Sequence, residues 1–294
     1  MSPARDGQPE ESAGGSRLGG EPTADSSPAR DGQPEESAGG SSPARDREAL
    51  AGPYFQENGP CPYLPGRDWC SVFFFGEGMP DRLFSRLLET GFRRSGRAVY
   101  TPSCRGCREC VSMRIQVAKF QPTPDQKRAW KKNPDIQLEV AVPEYTEEKR
   151  DLYQRFLDAR YPDREEIVSR RSYEAFFVEN FGFTREFQYR LEGRLVGVGV
   201  VDLVARAASS VYFYFDPDES KRSLGTYSLV REVEFCRESG RDYLYLGFRV
   251  RGCNAMAYKA NFRPHELLDP QRGWQPEAAF IEPSAEAQAA ERAP

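Results

Sequence analysis

The chain has 294 residues, 38% of them hydrophobic, with a mean hydropathy of −0.70 and a formal net charge of −4. That is leaner in apolar residues than an ordinary globular domain, so part of the chain is expected not to fold. No run is long and apolar enough to span a bilayer and the N-terminus lacks the apolar stretch of a signal peptide, so we expect a cytoplasmic protein with no membrane partner.

The charge is unevenly spread. Residues 1–50 carry net −5 and residues 269–294 net −3, which leaves 51–268 at +4, mildly basic and compatible with a polyanionic partner. Ser2–Ser16 recurs letter for letter at Ser27–Ser41, and its first five residues return at Ser42–Asp46. This unit of Pro, Gly, Ser and charge has almost nothing to bury and cannot offset its ordering entropy. Residues 1–52 are therefore expected to be a disordered repeat tail. Residues 53–142 read as an N-terminal cysteine-containing domain, 143–268 as a second α/β domain, and 269–294 as a disordered tail.

In chain order, the folded part opens on the proline-stiffened Pro60–Pro65 stretch, followed by a short strand at Val72–Phe75. Pro80–Thr90 predicts a helix, with Pro in its first turn and Gly91 just past its end. A basic turn, Phe92–Arg97, leads to a strand at Val99-Tyr100. After the cysteine run comes the alternating strand Val111–Val117. Thr123–Gln126 has capping-box spacing and opens a helix carrying Lys127, Arg128, Lys131 and Lys132, which stops at Asn133-Pro134. This basic run is either a phosphate-binding face or a solvated one. Ile136–Val142 reads as a strand, Thr146 starts a helix, and Ser172–Phe181 is a shorter helix. Phe187–Leu191 and Leu195–Val201 form a hairpin about Glu192-Gly193. Val211–Phe215, a glycine-bearing loop, a helix to Ser239 and Tyr243–Gly247 form a βαβ unit with a helix N-terminus exposed at one end.

Seven cysteines in a chain of this length do not make a disulfide scaffold. Cys104, Cys107 and Cys110 repeat at the spacing of zinc or iron–sulfur ligands, and Cys61 sits among prolines that would hold it. The alternative is a set of reduced thiols under a small domain. Cys236 belongs on the apolar face of its helix, whereas Cys253 lies in an exposed turn. A single histidine, His265, is a thin basis for a Cys–His mechanism, and no Walker, GxGxxG or GxSxG motif is present.

Several blocks resemble one family in unbroken order over about 53–268. Cys61-Pro-Tyr-Leu-Pro, Gly91-Phe-Arg-Arg-Ser-Gly, Cys104-x-x-Cys107-x-x-Cys110-Val-Ser-Met-Arg-Ile and Phe120-x-Pro resemble the N-terminal region of aminoacyl-tRNA–protein transferases. Phe215-Asp-Pro-Asp, Ser223-Leu-Gly-Thr-Tyr, Tyr243-Leu-Tyr-Leu-Gly and Met256-Ala-Tyr-Lys-Ala-Asn-Phe-Arg-Pro resemble their C-terminal region. Within the family the sequence is most similar to bacterial leucyl-transferases of the N-degron pathway. The resemblance implies a mixed α/β sheet of the acetyltransferase (GNAT) type used without coenzyme A. It also implies transfer of Leu from Leu-tRNA to proteins with N-terminal Asp or Glu, or of Arg in the nearest alternative. The loop of Ser223, Gly225 and Tyr227, with the basic helix, would then face tRNA. Arg93, Arg94, Lys259 and Arg263 fall in the matching blocks and are candidates to hold the acceptor carboxylate. Asp202 and Asp216 are candidate bases, or else turn-capping residues. The chemistry implies no required cofactor. The family's eukaryotic arginyl-transferases carry an iron–sulfur cluster on N-terminal cysteines, which extends to Cys61, Cys104, Cys107 and Cys110 as zinc or iron–sulfur ligands, although the spacing differs.

Overall fold

A computed structural model describes residues 50–76 and 78–281. The repeat region up to residue 49 and the last residues, from 282, lie outside the described part.

Two sheets organise the molecule. The smaller has order β1-β2-β4-β3. It is built from β1 (Ala51–Pro60), β2 (Asp68–Phe75), β3 (Arg93–Ser95) and β4 (Ala98–Pro102), with helix α1 (Asp81–Glu89) between β2 and β3. The larger sheet has eight strands. Its N-terminal contributions are β5 (Cys110–Gln116) and β6 (Ile136–Ala141), separated by helix α2 (Pro124–Lys131). Helices α3 (Glu147–Arg160) and α4 (Arg170–Tyr173) follow, the latter running into a π-helical turn at Glu174–Val178. Then come β7 (Thr184–Leu191), β8 (Arg194–Val204), β9 (Ala207–Phe215), helix α5 (Leu224–Glu238), β10 (Tyr243–Val250), β11 (His265–Asp269) and β12 (Gly273–Pro276). The sheet order is β12-β11-β5-β10-β9-β8-β7-β6, antiparallel throughout except for the parallel β9/β10 pair.

Local signals explain most of these elements. Thr123 and Gln126 form the reciprocal capping box of α2, and the Thr146 side chain accepts from the Lys149 N–H to start α3. The β7–β8 hairpin turns on Glu192 (φ 51°) and Gly193 (φ 83°), two left-handed residues in succession as a tight hairpin requires. Successive residues of a strand face opposite sides, and the core follows that rule. On β9, Tyr214 packs with Leu152, Phe156 and Phe177 under α3 and α4, whereas Phe213 packs with the α5 cluster of Leu224, Val230 and Val233. Helices thus cover both faces, in the mixed α/β layering implied by the family blocks.

Three expectations change. The larger sheet takes β5 and β6 from residues before 142, so it cannot be divided at 142/143; β5 is hydrogen-bonded between β11 and β10. Strand order begins at Ala51, inside the expected tail, because β1 pairs along β2. The segment after Asp269 is not a tail as far as residue 281. Strand β12 pairs with β11, and Trp274 lies 4.4 Å from the Arg114 guanidinium and 5.5 Å from the Tyr245 ring, with Nε1 donating to the Glu89 carbonyl at 2.9 Å. A few apolar residues among Gln, Pro and Glu suffice here because a strand edge was waiting for them. Among the described residues, no helix is long and apolar enough to cross a membrane.

Candidate active site

The βαβ unit creates the site by failing to stay paired. Strands β9 and β10 are hydrogen-bonded in parallel only from Ala207/Tyr243 to Ser209/Tyr245, and then part, although β9 continues to Phe215 and β10 to Val250. A register shift against β5 between Tyr245 and Gly247 marks where β10 turns away. Gly247 has φ 79°, and a Cβ there would lie 1.3 Å from Nη1 of Arg93, so both backbone and space demand glycine.

Parting strands expose carbonyls that must find donors. On β9 the Ser210 carbonyl accepts from Arg93 Nη2 at 2.5 Å; on β10 the Phe248 carbonyl accepts from Lys259 Nζ at 3.2 Å. Two cations therefore flank one opening, each on one arm of the V. Among the described residues Arg93 has no carboxylate partner, and its guanidinium lies 5.9 Å from the Phe248 ring centre. Beside it, a small crevice with room for little more than a water molecule is lined by Leu88, Phe92, Met113 and Tyr245, with Arg93 and Ser112 as its polar side chains. Next to β10 the floor is apolar and aromatic: Phe248, Val250 and Met256 pack with Tyr63, Leu64 and Tyr100. Burial raises the Tyr63 and Tyr100 hydroxyls and the Cys110 thiol, so all three stay protonated near neutrality and none is a base there.

The four expected acceptor-binding cations have different fates. Arg93 and Lys259 come together at the V. Arg94 does not: its Nε donates to both oxygens of Asp202 at 2.9 Å, both side chains are fully buried, and Thr184 Oγ1 completes the carboxylate at 2.7 Å. Arg94 and Asp202 thus occupy each other in the interior as a structural ion pair, not as an acceptor-binding cation and a base. Arg263 sits on the surface, donating to Ala260 O and pairing with Glu277. Asp216 is buried under Arg155 and Arg194 and accepts from the Asp218 N–H, so it caps the 3₁₀ turn after β9 instead of serving as a base.

The tRNA-facing residues also separate. Lys127 and Lys131 are exposed and, among the described residues, carry no ion pair, whereas Arg128 pairs with Asp125 and Lys132 donates to the Lys221 carbonyl at 3.0 Å. Ser223 starts α5 in a left-handed conformation (φ 57°) without a side-chain cap, and nothing lies within 4 Å of a Cβ built on Gly225. Tyr227 is 4% exposed, its ring 5.9 Å from that of Tyr189, and belongs to the core rather than to a contact surface.

The cysteines share one neighbourhood without forming a ligand set. Cys104 Sγ accepts from the Cys70 N–H at 3.3 Å, and burial, then the neighbouring Cys61 and Cys107, raise the thiol pKa values of Cys104 and Cys110. Among the described residues, however, no three Cys, His, Asp or Glu side chains converge on a point where a metal ion would be held. The donors are chemically right for zinc or an iron–sulfur centre, but their arrangement does not fit one.

Sequence reasoning missed Ser210, Gly247 and Phe248, whose role depends on where two strands part. The one available signal was a glycine interrupting an otherwise apolar strand.

Fold and site together describe a mixed α/β protein with a candidate centre between two parting parallel strands. Residues 59–128 match the family description "Arginine-tRNA-protein transferase, N terminus" and residues 148–269 its C terminus. The chain belongs to this family of enzymes, which take an aminoacyl group from tRNA and join it to protein. It is 39% identical over 214 residues to an aspartate/glutamate leucyltransferase of Pseudomonas fluorescens (strain Pf0-1), covering 72% of this chain and 91% of that one. It is 36% identical over 226 residues to the protein of the same description from Chromohalobacter salexigens, covering 76% and 91%. Among solved structures, L-PGS from Bacillus licheniformis aligns at a TM-score of 0.39 and 13% identity, covering 48% of this chain and 47% of that one.

Proposed function

We propose that this protein transfers Leu from Leu-tRNA to N-terminal Asp or Glu of proteins, marking them for degradation in the N-degron pathway. The observation that carries this reading is the pair of cations, Arg93 and Lys259, flanking the opening between β9 and β10. An N-terminal Asp or Glu presents its carboxylate three or four bonds from its amine, so a cation fixed at the opening orients both. The neutral amine attacks the aminoacyl ester carbon, a C–N bond forms, the ester C–O bond breaks, and the ribose oxygen leaves with a proton. An activated ester becomes an amide, and positioning supplies much of the rate without a cofactor. With Asp202 and Asp216 occupied elsewhere, the ammonium proton goes to solvent before attack. The description of its relatives as leucyltransferases supports a leucyl over an arginyl donor.

The test is incubation with labelled Leu-tRNA or Arg-tRNA and an Asp-ended peptide. Leu incorporation that fails with an acetylated peptide supports the proposal. Exclusive use of Arg-tRNA would replace the donor, and no transfer from either would overturn the function.

A further inference from the structure

Helix α2 carries an exposed aromatic that neither the core nor the reaction centre uses. Trp130 is 38% exposed although it lies on a helix otherwise given to charge. From within, the indole is braced by the Tyr227 ring at 5.8 Å and the Arg231 guanidinium at 5.2 Å, leaving its open part to solvent. The Arg231 Nε is buried and, among the described residues, donates to nothing. Lys127 and Lys131, three residues before Trp130 and one after it on the same helix, are both exposed and unpaired among the described residues. The helix is fixed in place: Gln126 Nε2 donates to the Asn261 carbonyl at 3.2 Å and Asn133 Nδ2 to the Arg222 carbonyl at 2.9 Å. It therefore borders the start of α5, at the end of β9, about 17 Å along that strand from Ser210 if each residue rises ~3.3 Å.

Accepting the transferase reading above, we propose that the α2–α5 face receives the single-stranded 3′ nucleotides of the tRNA, with a base stacked on Trp130 and adjacent phosphates on Lys127 and Lys131. A rigid indole beside exposed cations suits a base and its backbone, since every base has a π face and each phosphate a charge. An acidic protein surface would use the lysines but leave an exposed indole unexplained.

Binding of uncharged tRNA to the full chain, at several salt concentrations, tests this. The variants are Trp130→Ala, Trp130→Phe and Lys127→Ala/Lys131→Ala, and the probes are intact tRNA and the same tRNA shortened by its unpaired 3′ nucleotides. Trp130→Ala should weaken intact tRNA about 5- to 150-fold, the range of one lost base stack, and leave shortened tRNA unaffected. Trp130→Phe should retain most of the affinity, and the lysine pair should lower the salt slope by about 1.4. Equal weakening of both probes, or none, overturns the proposal, as does a defect confined to an Asp-ended protein acceptor. Melting temperatures identify loss through misfolding, in which case Trp130→Phe decides. Leu transfer by the wild type is scored separately, so failure of the activity and failure of this surface are distinguishable.

Discussion

Arg93 and Arg94 are adjacent in sequence and opposite in consequence, and replacing each with alanine should separate function from stability. On β3 they face opposite ways: Arg93 reaches the V, and Arg94 is buried against Asp202. Arg94→Ala leaves a fully buried carboxylate with one hydroxyl partner, and breaking such a pair costs about 3–5 kcal/mol. For a fold of this size, ~2–4 °C per kcal/mol gives a fall of about 6–20 °C in melting temperature. Arg93→Ala removes a charge-assisted contact to the acceptor carboxylate worth roughly 1.5–3 kcal/mol. That is about a 10- to 150-fold loss in kcat/KM for an Asp-ended peptide, with little change for an Asn-ended one. The assay is transfer from Leu-tRNA to the two peptides under subsaturating acceptor, alongside thermal melts. Refutation is equally definite. If Arg93→Ala lowers both peptides equally, Arg93 does not read the carboxylate. If Arg94→Ala leaves the melting temperature unchanged, the buried pair has been misjudged.

Three further outcomes follow from the same structure. The rate should rise about tenfold per pH unit and level off near pH 8, because the titrating group is the acceptor amine (pKa about 7.7–8.0). Tyr63, Tyr100 and Cys110, whose pKa values are raised by burial, keep their protons across that window, and a profile governed by a group near pH 4–5 would return a carboxylate to the role of base. Truncation after Asp269 should lower the melting temperature by about 6–12 °C, taking roughly 3 kcal/mol for the loss of Trp274 and β12, whereas truncation after Ile281 should not; equal melts would restore the tail. Cys107→Ser should change the melting temperature by no more than about 2 °C, since Cys107 is half-buried and in no converged ligand set. A larger fall, together with loss of zinc or iron from anaerobically purified protein, would reinstate the metal site.

What the sequence alone determined was local. Capping chemistry at Thr123 and Thr146 and the Glu192-Gly193 turn depend on neighbours within a few residues, and each formed as read. The strand–helix–strand run from Val211 to Gly247 kept its order, but its helix starts at Leu224, inside the expected glycine loop, and β10 pairs with Ala207–Ser209. The family blocks likewise carried the reaction class, because they are strings of residues. Tertiary structure decided which charges are available. Arg93, Arg94, Lys259 and Arg263 are chemically alike in the sequence, yet one pairs with a buried Asp, one with a surface Glu, and two meet 166 positions apart where β9 and β10 diverge. It also decided that residues 269–281 fold, since β11, whose free edge receives β12, is itself held in the sheet by β5, from the other half of the chain. A side chain's protonation, pairing and reach are set by what surrounds it in space, and spacing along the chain carries little of that information.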